Sequence, residues 1–165
     1  MFRGKGGNSV TDEGRLVVVA LANAAWFPVV QTVLAWGFLR LPAGRFRAAA
    51  PAAWEADGRL YERGMRIRAW KDLLPDGAAW FGGGFRKARL ASADAGYLRR
   101  YCVEARRGEC CHWTALALTP VVFLWNPLWA DGVMALAALA LNLPCILVQR
   151  YNRARLLAVL ARKGG

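Results

Sequence analysis

Polar and apolar positions fall into long blocks along this chain rather than into short periods. Leu16–Leu39 is 24 residues without a charge, closed by Arg40. At ~1.5 Å per helical residue this run exceeds the ~30 Å hydrocarbon core of a bilayer. A second apolar block runs from Trp113 to about Trp125, and a third from Val133 to Val148, closed by Arg150. Asn126-Pro127 and Asp131-Gly132 supply turn chemistry between them. The pattern predicts an all-α integral membrane protein with about three transmembrane helices. One is the span 16–39; the others form a helical hairpin over 112–149. As helix the hairpin is roughly 57 Å long, barely two crossings, so a shallower re-entrant hairpin is the alternative. Within the first span Pro28 is expected to kink the helix. Asn23, Gln31 and Thr32 are expected to face other helices or a cavity rather than lipid.

The middle segment, 40–111, has too many aromatic residues for a disordered linker. Leu60, Ile67, Trp70 and Leu74 fall on one helical stripe, with Arg59, Arg63, Arg66 and Arg68 mostly elsewhere. This predicts an amphipathic helix on the membrane surface, or ordinary packing against other helices, ended by Pro75 and Gly77. The run GAAWFGGGFRK, Gly77–Lys87, reads as a mobile turn first and a phosphate contact second, since it lacks the G-x-x-x-x-G-K-[ST] pattern. A further helix is expected from about Ser92, with Ser92 as its cap and Asp94 in its first turn, continuing through His112. The organisation expected is a polar arm 1–15 and a single membrane domain 16–165. The domain comprises the span 16–39, a cytoplasmic interfacial segment 40–111, the hairpin 112–149 and a basic tail 150–165.

Charge then orients the chain. The net charge is +12, from 23 Lys and Arg against 11 Asp and Glu. Such basicity suits nucleic acid or an anionic membrane face. The long uncharged run favours the membrane, so no nucleic-acid partner is expected. The tail after Gln149 carries Arg150, Arg153, Arg155, Arg162 and Lys163 and no acid. The positive-inside rule therefore predicts an N-out, C-in, multi-pass protein of the cell membrane with its active face cytoplasmic. The first apolar run is also longer than the ~7–15 residues of a signal-peptide core, so a retained anchor is expected. Cys102, Cys110, Cys111 and Cys145 form no C-x-x-C pair, and reduced thiols without a metal are expected.

The candidate chemistry centres on EARRGECCHW, Glu104–Trp113, which holds the chain's one histidine. On a helix Glu104, Gly108 and His112 share a face, and Glu109 is three residues before His112. A carboxylate beside an imidazole fixes its tautomer and raises its basicity, as in hydrolase and acyltransferase triads. His112 is thus a candidate general base with Glu109 or Glu104 orienting it, or else an interfacial residue paired with Glu109 only to enter the membrane. Arg106 and Arg107 are candidates for stabilising an oxyanion. At the end of the third block, QRYNR brings Arg150, Tyr151, Asn152 and Arg153. The arginines are positive-inside anchors or, with Lys87, a clamp for head-group phosphates, and Tyr151 and Asn152 suit sugar hydroxyls.

In combination, WKDLLPDG (Trp70–Gly77), Phe85–Lys87, EARRGECCHW and NLPCILVQRYNRARL (Asn142–Leu156) resemble the glycosyl-4,4'-diaponeurosporenoate acyltransferase family. These are small bacterial membrane enzymes of staphyloxanthin-type carotenoid biosynthesis. The resemblance implies transfer of a fatty acyl group from an acyl donor, acyl-CoA, to a sugar hydroxyl of a glycosylated carotenoid, with no bound cofactor. The family's E-x-x-H-W falls on Glu109, His112 and Trp113, its preceding acid on Glu104, and its R-Y-N-R on Arg150–Arg153. The chain departs from the family pattern in Cys110-Cys111. Other lipid-modifying activities, an acyl hydrolase or a methyltransferase, and a non-catalytic membrane subunit or lipid-binding adaptor are the alternatives.

Overall fold

The computed structural model describes residues 6–47, 51–74 and 90–164, and every regular element among them is helical. Helix α1 runs Gly6–Arg40 and is continuous through Pro28. The helix also takes in much of the polar arm. A 3₁₀ turn at Ala43–Phe46 follows. A second 3₁₀ segment, Ala53–Gly58, leads into two short helices, α2 (Arg59–Gly64) and α3 (Ile67–Trp70), and a last turn at Lys71–Leu73. Helix α4 spans Ala95–Leu118 and passes directly into a 3₁₀ run, Thr119–Leu124. Helix α5, Leu128–Lys163, returns antiparallel to it.

The α4–α5 pair is the framework. Small side chains allow close approach: Cys102, Ala105, Cys111, Ala115, Ala138 and Ala154 are all buried. Asp94, not Ser92, is the cap of α4: its carboxylate accepts from the Tyr97 amide at 3.0 Å, while Ser92 Oγ accepts from the Asp94 amide at 3.0 Å. A carboxylate is the stronger acceptor for an unsatisfied helix N–H, and it also complements the helix dipole. Backbone amides, Tyr97 first and then Gly96, hold the Asp94 carboxyl below its ordinary range.

Among the described residues two helices are long and apolar enough to cross a membrane, Asp12–Arg40 in α1 and Leu128–Lys163. The block from Trp113 differs. It is the end of α4 plus the 3₁₀ run, which together extend roughly 20 Å, short of a full hydrocarbon core. Helix α1 packs on α4 with most of its apolar surface still exposed, including Leu16, Val17, Val18, Leu21, Val29 and Val33. Its polar residues behave as the pattern required in two cases out of three. Asn23 and Gln31 face the hairpin, whereas Thr32 is exposed. Asn23 and Asn126 exchange amide hydrogen bonds of 2.8 and 3.0 Å, and Trp125 Nε1 donates to Asn23 Oδ1 at 2.9 Å. Trp26 meets Trp125 edge to face with centroids 5.6 Å apart. At the other end Arg107 Nη2 donates to the Leu41 carbonyl at 3.1 Å. Between these polar ties α1 runs roughly 27 Å with only apolar contact to the hairpin, apart from Gln31.

The stripe Leu60–Leu74 is not one helix. Gly64 closes α2, and Arg66 adopts φ 47 before α3 starts. Tyr61 and Ile67 turn inward onto Tyr151 of α5 and form a small core flanked by Trp70, Leu147 and Val148, while Leu60 stays exposed. The segment thus packs on α5 rather than presenting one amphipathic face. Pro75 and the Gly77–Lys87 run, Lys87 included, lie outside the described residues.

Gly58 sets how closely the segment docks. Its φ is +90, and a Cβ there would lie 2.8 Å from Arg155 Cδ and Cγ and 3.2 Å from Tyr151 Cδ2. Gly58→Ala combines a left-handed conformation with that clash, so it is expected to destabilise by about 1–3 kcal/mol. Chemical unfolding in detergent, followed by circular dichroism, checks this; an unchanged midpoint would show that the segment does not rest on α5 there.

Candidate functional site

Three rungs of polar contact cross the α4–α5 seam, and each is set by helical spacing. Tyr101 Oη accepts from Asn152 Nδ2 at 3.2 Å. About two turns along α4, Glu109 receives Arg150 and Arg153. A further turn along, His112 meets Asn142. The antiparallel run of α5 accounts for this order: residues rise in number on one helix as they fall on the other.

Glu109 is fully buried, and its partners are arginines. Arg106 Nη1 lies 3.0 Å and Arg150 Nη1 3.4 Å from Oε1, and Arg153 Nη1 bonds Oε2. Both Glu109 oxygens, expected to serve His112, are taken by guanidinium groups. A buried carboxylate is stabilised far more by guanidinium groups than by a neutral imidazole, and α5 delivers two of them. Glu104 is engaged as well: Arg107 Nη1 lies 2.9 and 2.8 Å from its two oxygens. Glu104 also stands eight residues, roughly 12 Å, from His112 along α4. Arg106 and Arg107, expected as oxyanion donors, are held by these carboxylates. Arg107 additionally caps α1 through Leu41 and stacks on the Phe46 ring, 5.1 Å from its centroid.

Asn142, which spacing alone did not single out, touches His112. Asn142 Oδ1 lies 2.9 Å from Nδ1, and Asn142 Nδ2 donates to the Ala138 carbonyl at 2.9 Å. A carbonyl only accepts, so the amide orientation is settled: Nδ2 points at Ala138 and Oδ1 at the ring. Nδ1 is then the donor to Asn142 Oδ1. The contact from Gln31 Nε2 to Nδ1 is longer, 3.5 Å, and the same amide lies 3.8 Å from the buried Cys111 thiol. Gln31 brings α1 into the site. The available sequence signal was an uncharged polar side chain within an apolar block, which describes both Asn142 and Gln31.

Arg150 ties a third element in. Its Nε donates to Glu55 Oε1 at 3.1 Å and to Tyr61 Oη at 3.2 Å, and its guanidinium lies 5.3 Å from the Trp54 ring centroid. Glu55 is buried and also accepts from Tyr61 at 2.6 Å and from the Ala52 amide at 2.7 Å. Burial pushes the Glu55 carboxyl up, but the bonds from Tyr61 and Ala52 and the Arg150 charge outweigh it and hold it below its ordinary 4.5. Burial, then the bond to Glu55, pushes the Tyr61 hydroxyl up to about 12. Glu55 and Tyr61 were missed because their partner lies 95 and 89 residues away. Tyr151 and Asn152, expected to meet a sugar, bond Glu62 at 2.8 Å and Tyr101. Glu55, Glu109, Arg106, Arg150 and Arg153 together carry one net positive charge. Eight residues of α5, roughly 12 Å, separate Arg150 from the level of Asn142 and His112.

Two expectations follow. Neutralising Glu109 with Glu109→Gln leaves three guanidinium groups facing a buried amide, and should cost about 3–5 kcal/mol. Glu104→Gln, with a partly exposed pair, should cost much less; equal losses in urea titrations would contradict this ranking. Docking of the 51–74 segment should be complete at neutral pH. It should weaken as pH falls from 4.5 through the lower folded-state value of Glu55, and again as pH rises from 10 towards about 12, where unfolded Tyr61 ionises but folded Tyr61 does not. Near-ultraviolet circular dichroism, with Trp54→Phe identifying the segment's signal, reads both limbs.

Residues 42–162 match the family described as glycosyl-4,4'-diaponeurosporenoate acyltransferase. A relative of that name from Staphylococcus haemolyticus is 30% identical over 147 residues, covering 86% of this chain and 85% of its own length. Another from Staphylococcus aureus strain Newman is 29% identical over 114 residues, 67% of this chain and 68% of the relative. No solved structure matches the chain. The match takes in both faces of the helix pair that carries Glu109, His112, Asn142, Arg150 and Arg153, so this chain belongs to the glycosyl-4,4'-diaponeurosporenoate acyltransferase family and is an acyltransferase.

Proposed function

We propose that this acyltransferase works within a bilayer and moves a fatty acyl group from a thioester donor, acyl-CoA, to a hydroxyl of a glycolipid. The names of its relatives point to a glycosylated carotenoid as acceptor. The carrying observation is the 2.9 Å contact between His112 Nδ1 and Asn142 Oδ1, which leaves Nε2 as the base. Nε2 takes the proton of the acceptor hydroxyl as its oxygen attacks the thioester carbonyl carbon. The carbon–sulfur bond then breaks, and the imidazolium returns the proton to the departing thiolate. No covalent enzyme intermediate is required, and the buried Cys111 is not needed as a nucleophile. Asn142 replaces the expected carboxylate: it fixes the tautomer without adding a charge to an apolar layer. The arginine cluster, with its surplus positive charge, holds an anionic part of the donor or acceptor about two helical turns from the reacting atoms.

Membrane placement rests on the exposed apolar surface of α1 and on the separation of polar ties. Asn23 and Asn126 mark one end of an apolar layer, and Arg40, Arg107 and Arg150 the other. In this reading α1 and α5 cross, and the end of α4 with its 3₁₀ run lies beside α5 in the same layer. The chain is N-out and C-in, and the arginine end faces the cytoplasm.

His112→Ala should lower acyl transfer by about 10²–10⁴-fold while helix content and membrane insertion stay unchanged. Asn142→Leu should lower kcat with little change in KM, and Asn142→Asp should raise the pKa on the acid limb of the pH–rate profile. Cys111→Ser should retain full activity. Transfer assayed in nanodiscs with a glycolipid acceptor tests all four, and normal turnover by His112→Ala would remove the base.

A further inference from the structure

Most arginines along the α4–α5 seam are spoken for by carboxylates, but Arg47 and Arg99 are exposed and have no hydrogen-bond or ion-pair partner among the described residues. Both line one groove of about 560 Å³ at the end of the helix pair remote from Asn126. Its walls are Val103 on α4 and Leu157, Leu160 and Ala161 on α5, and Cys102 floors it. Among the described residues no acidic side chain lines it. Helical spacing builds it: Arg99, Cys102 and Val103 share one face of α4, and Leu157, Leu160 and Ala161 one face of α5, with Gly164 just past its end.

Cys102 is fully buried between the two helices, so the groove is closed beneath. Charge and apolarity are thus ordered along the groove. Two unpaired guanidinium groups stand at its rim, and Val103 and Leu157 lie on the side that leads into the apolar layer. Paired arginines recognise phosphate oxygens through charge-assisted bonds, and an aliphatic wall takes an acyl chain.

We propose that this groove is a binding site for an anionic phospholipid, its phosphate between Arg47 and Arg99 and one acyl chain along Val103 and Leu157. It is separate from the acyl-transfer site: Cys102 and His112 are ten residues apart on α4, roughly 15 Å. A phospholipid fits better than a soluble phosphate, because a free anion would leave the apolar walls unused. The proposal shares the bilayer placement with the functional reading but not its chemistry, so either can fail alone.

The test is native mass spectrometry of the full chain released from nanodiscs of phosphatidylglycerol and phosphatidylcholine with matched chains. The wild type is expected to retain one phosphatidylglycerol preferentially. Arg47→Ala/Arg99→Ala should reduce that preference at least ten-fold. Ala161→Trp, which fills the groove without removing charge, should also reduce it. Arg63→Ala/Arg68→Ala, which removes equal charge from exposed positions elsewhere, should leave it intact. Circular dichroism confirms folding of each variant. Unchanged retention in both groove variants overturns the site, and an equal loss in the Arg63/Arg68 control reduces it to bulk charge. Displacement of the lipid by coenzyme A at micromolar concentration would assign the groove to the donor and overturn the lipid reading.

Discussion

A carboxylate with almost no exposure lies among three guanidinium groups, and the arrangement of the helices depends on that contact. Glu109 comes from α4, Arg150 and Arg153 from α5, and Arg106 from one turn before Glu109 itself. Removing any of these charges from water is expensive, and the cost is met only where the partners arrive in good geometry. The contact therefore acts as a register pin. A slide of α5 by one turn would strand Glu109 and separate Asn142 from His112. Small side chains at Ala105, Ala138 and Ala154 let the helices approach, but apolar contact alone tolerates sliding, and the charged rung does not.

Arg150 carries the same constraint outward. Its Nε serves Glu55 and Tyr61 while Nη1 serves Glu109, so the 51–74 segment, α4 and α5 meet at one guanidinium. Gly58 permits the approach because it has no Cβ to meet Arg155 and Tyr151.

His112, the proposed base, is supported differently. A carboxylate beside His112 would add charge to an apolar layer, whereas Asn142 sets the same tautomer as a neutral group. The carboxylate that spacing suggested, Glu109, is used for register instead. Orientation and electrostatic anchoring are divided between two rungs of the same helix pair, roughly 12 Å apart along α5.

The sequence by itself determined the helical class, the long uncharged run of α1, the hairpin turn at Asn126-Pro127 and the motifs that carry the family resemblance. Those properties follow from composition and periodicity within a single segment, where burial and helix geometry act locally. It also placed His112, Glu109, Arg150 and Arg153 in one neighbourhood, since an antiparallel hairpin returns its two ends to the same level. Only the tertiary structure decided which of them touch. The competition for Glu109 was won by arginines 41 and 44 residues away, and Asn142 reached His112 across the seam. The stripe from Leu60 broke at Arg66 because Tyr61 and Ile67 had a partner in Tyr151. Pair choice among buried charges depends on geometry that local spacing does not contain, and the lowest-energy partner is the one the fold delivers.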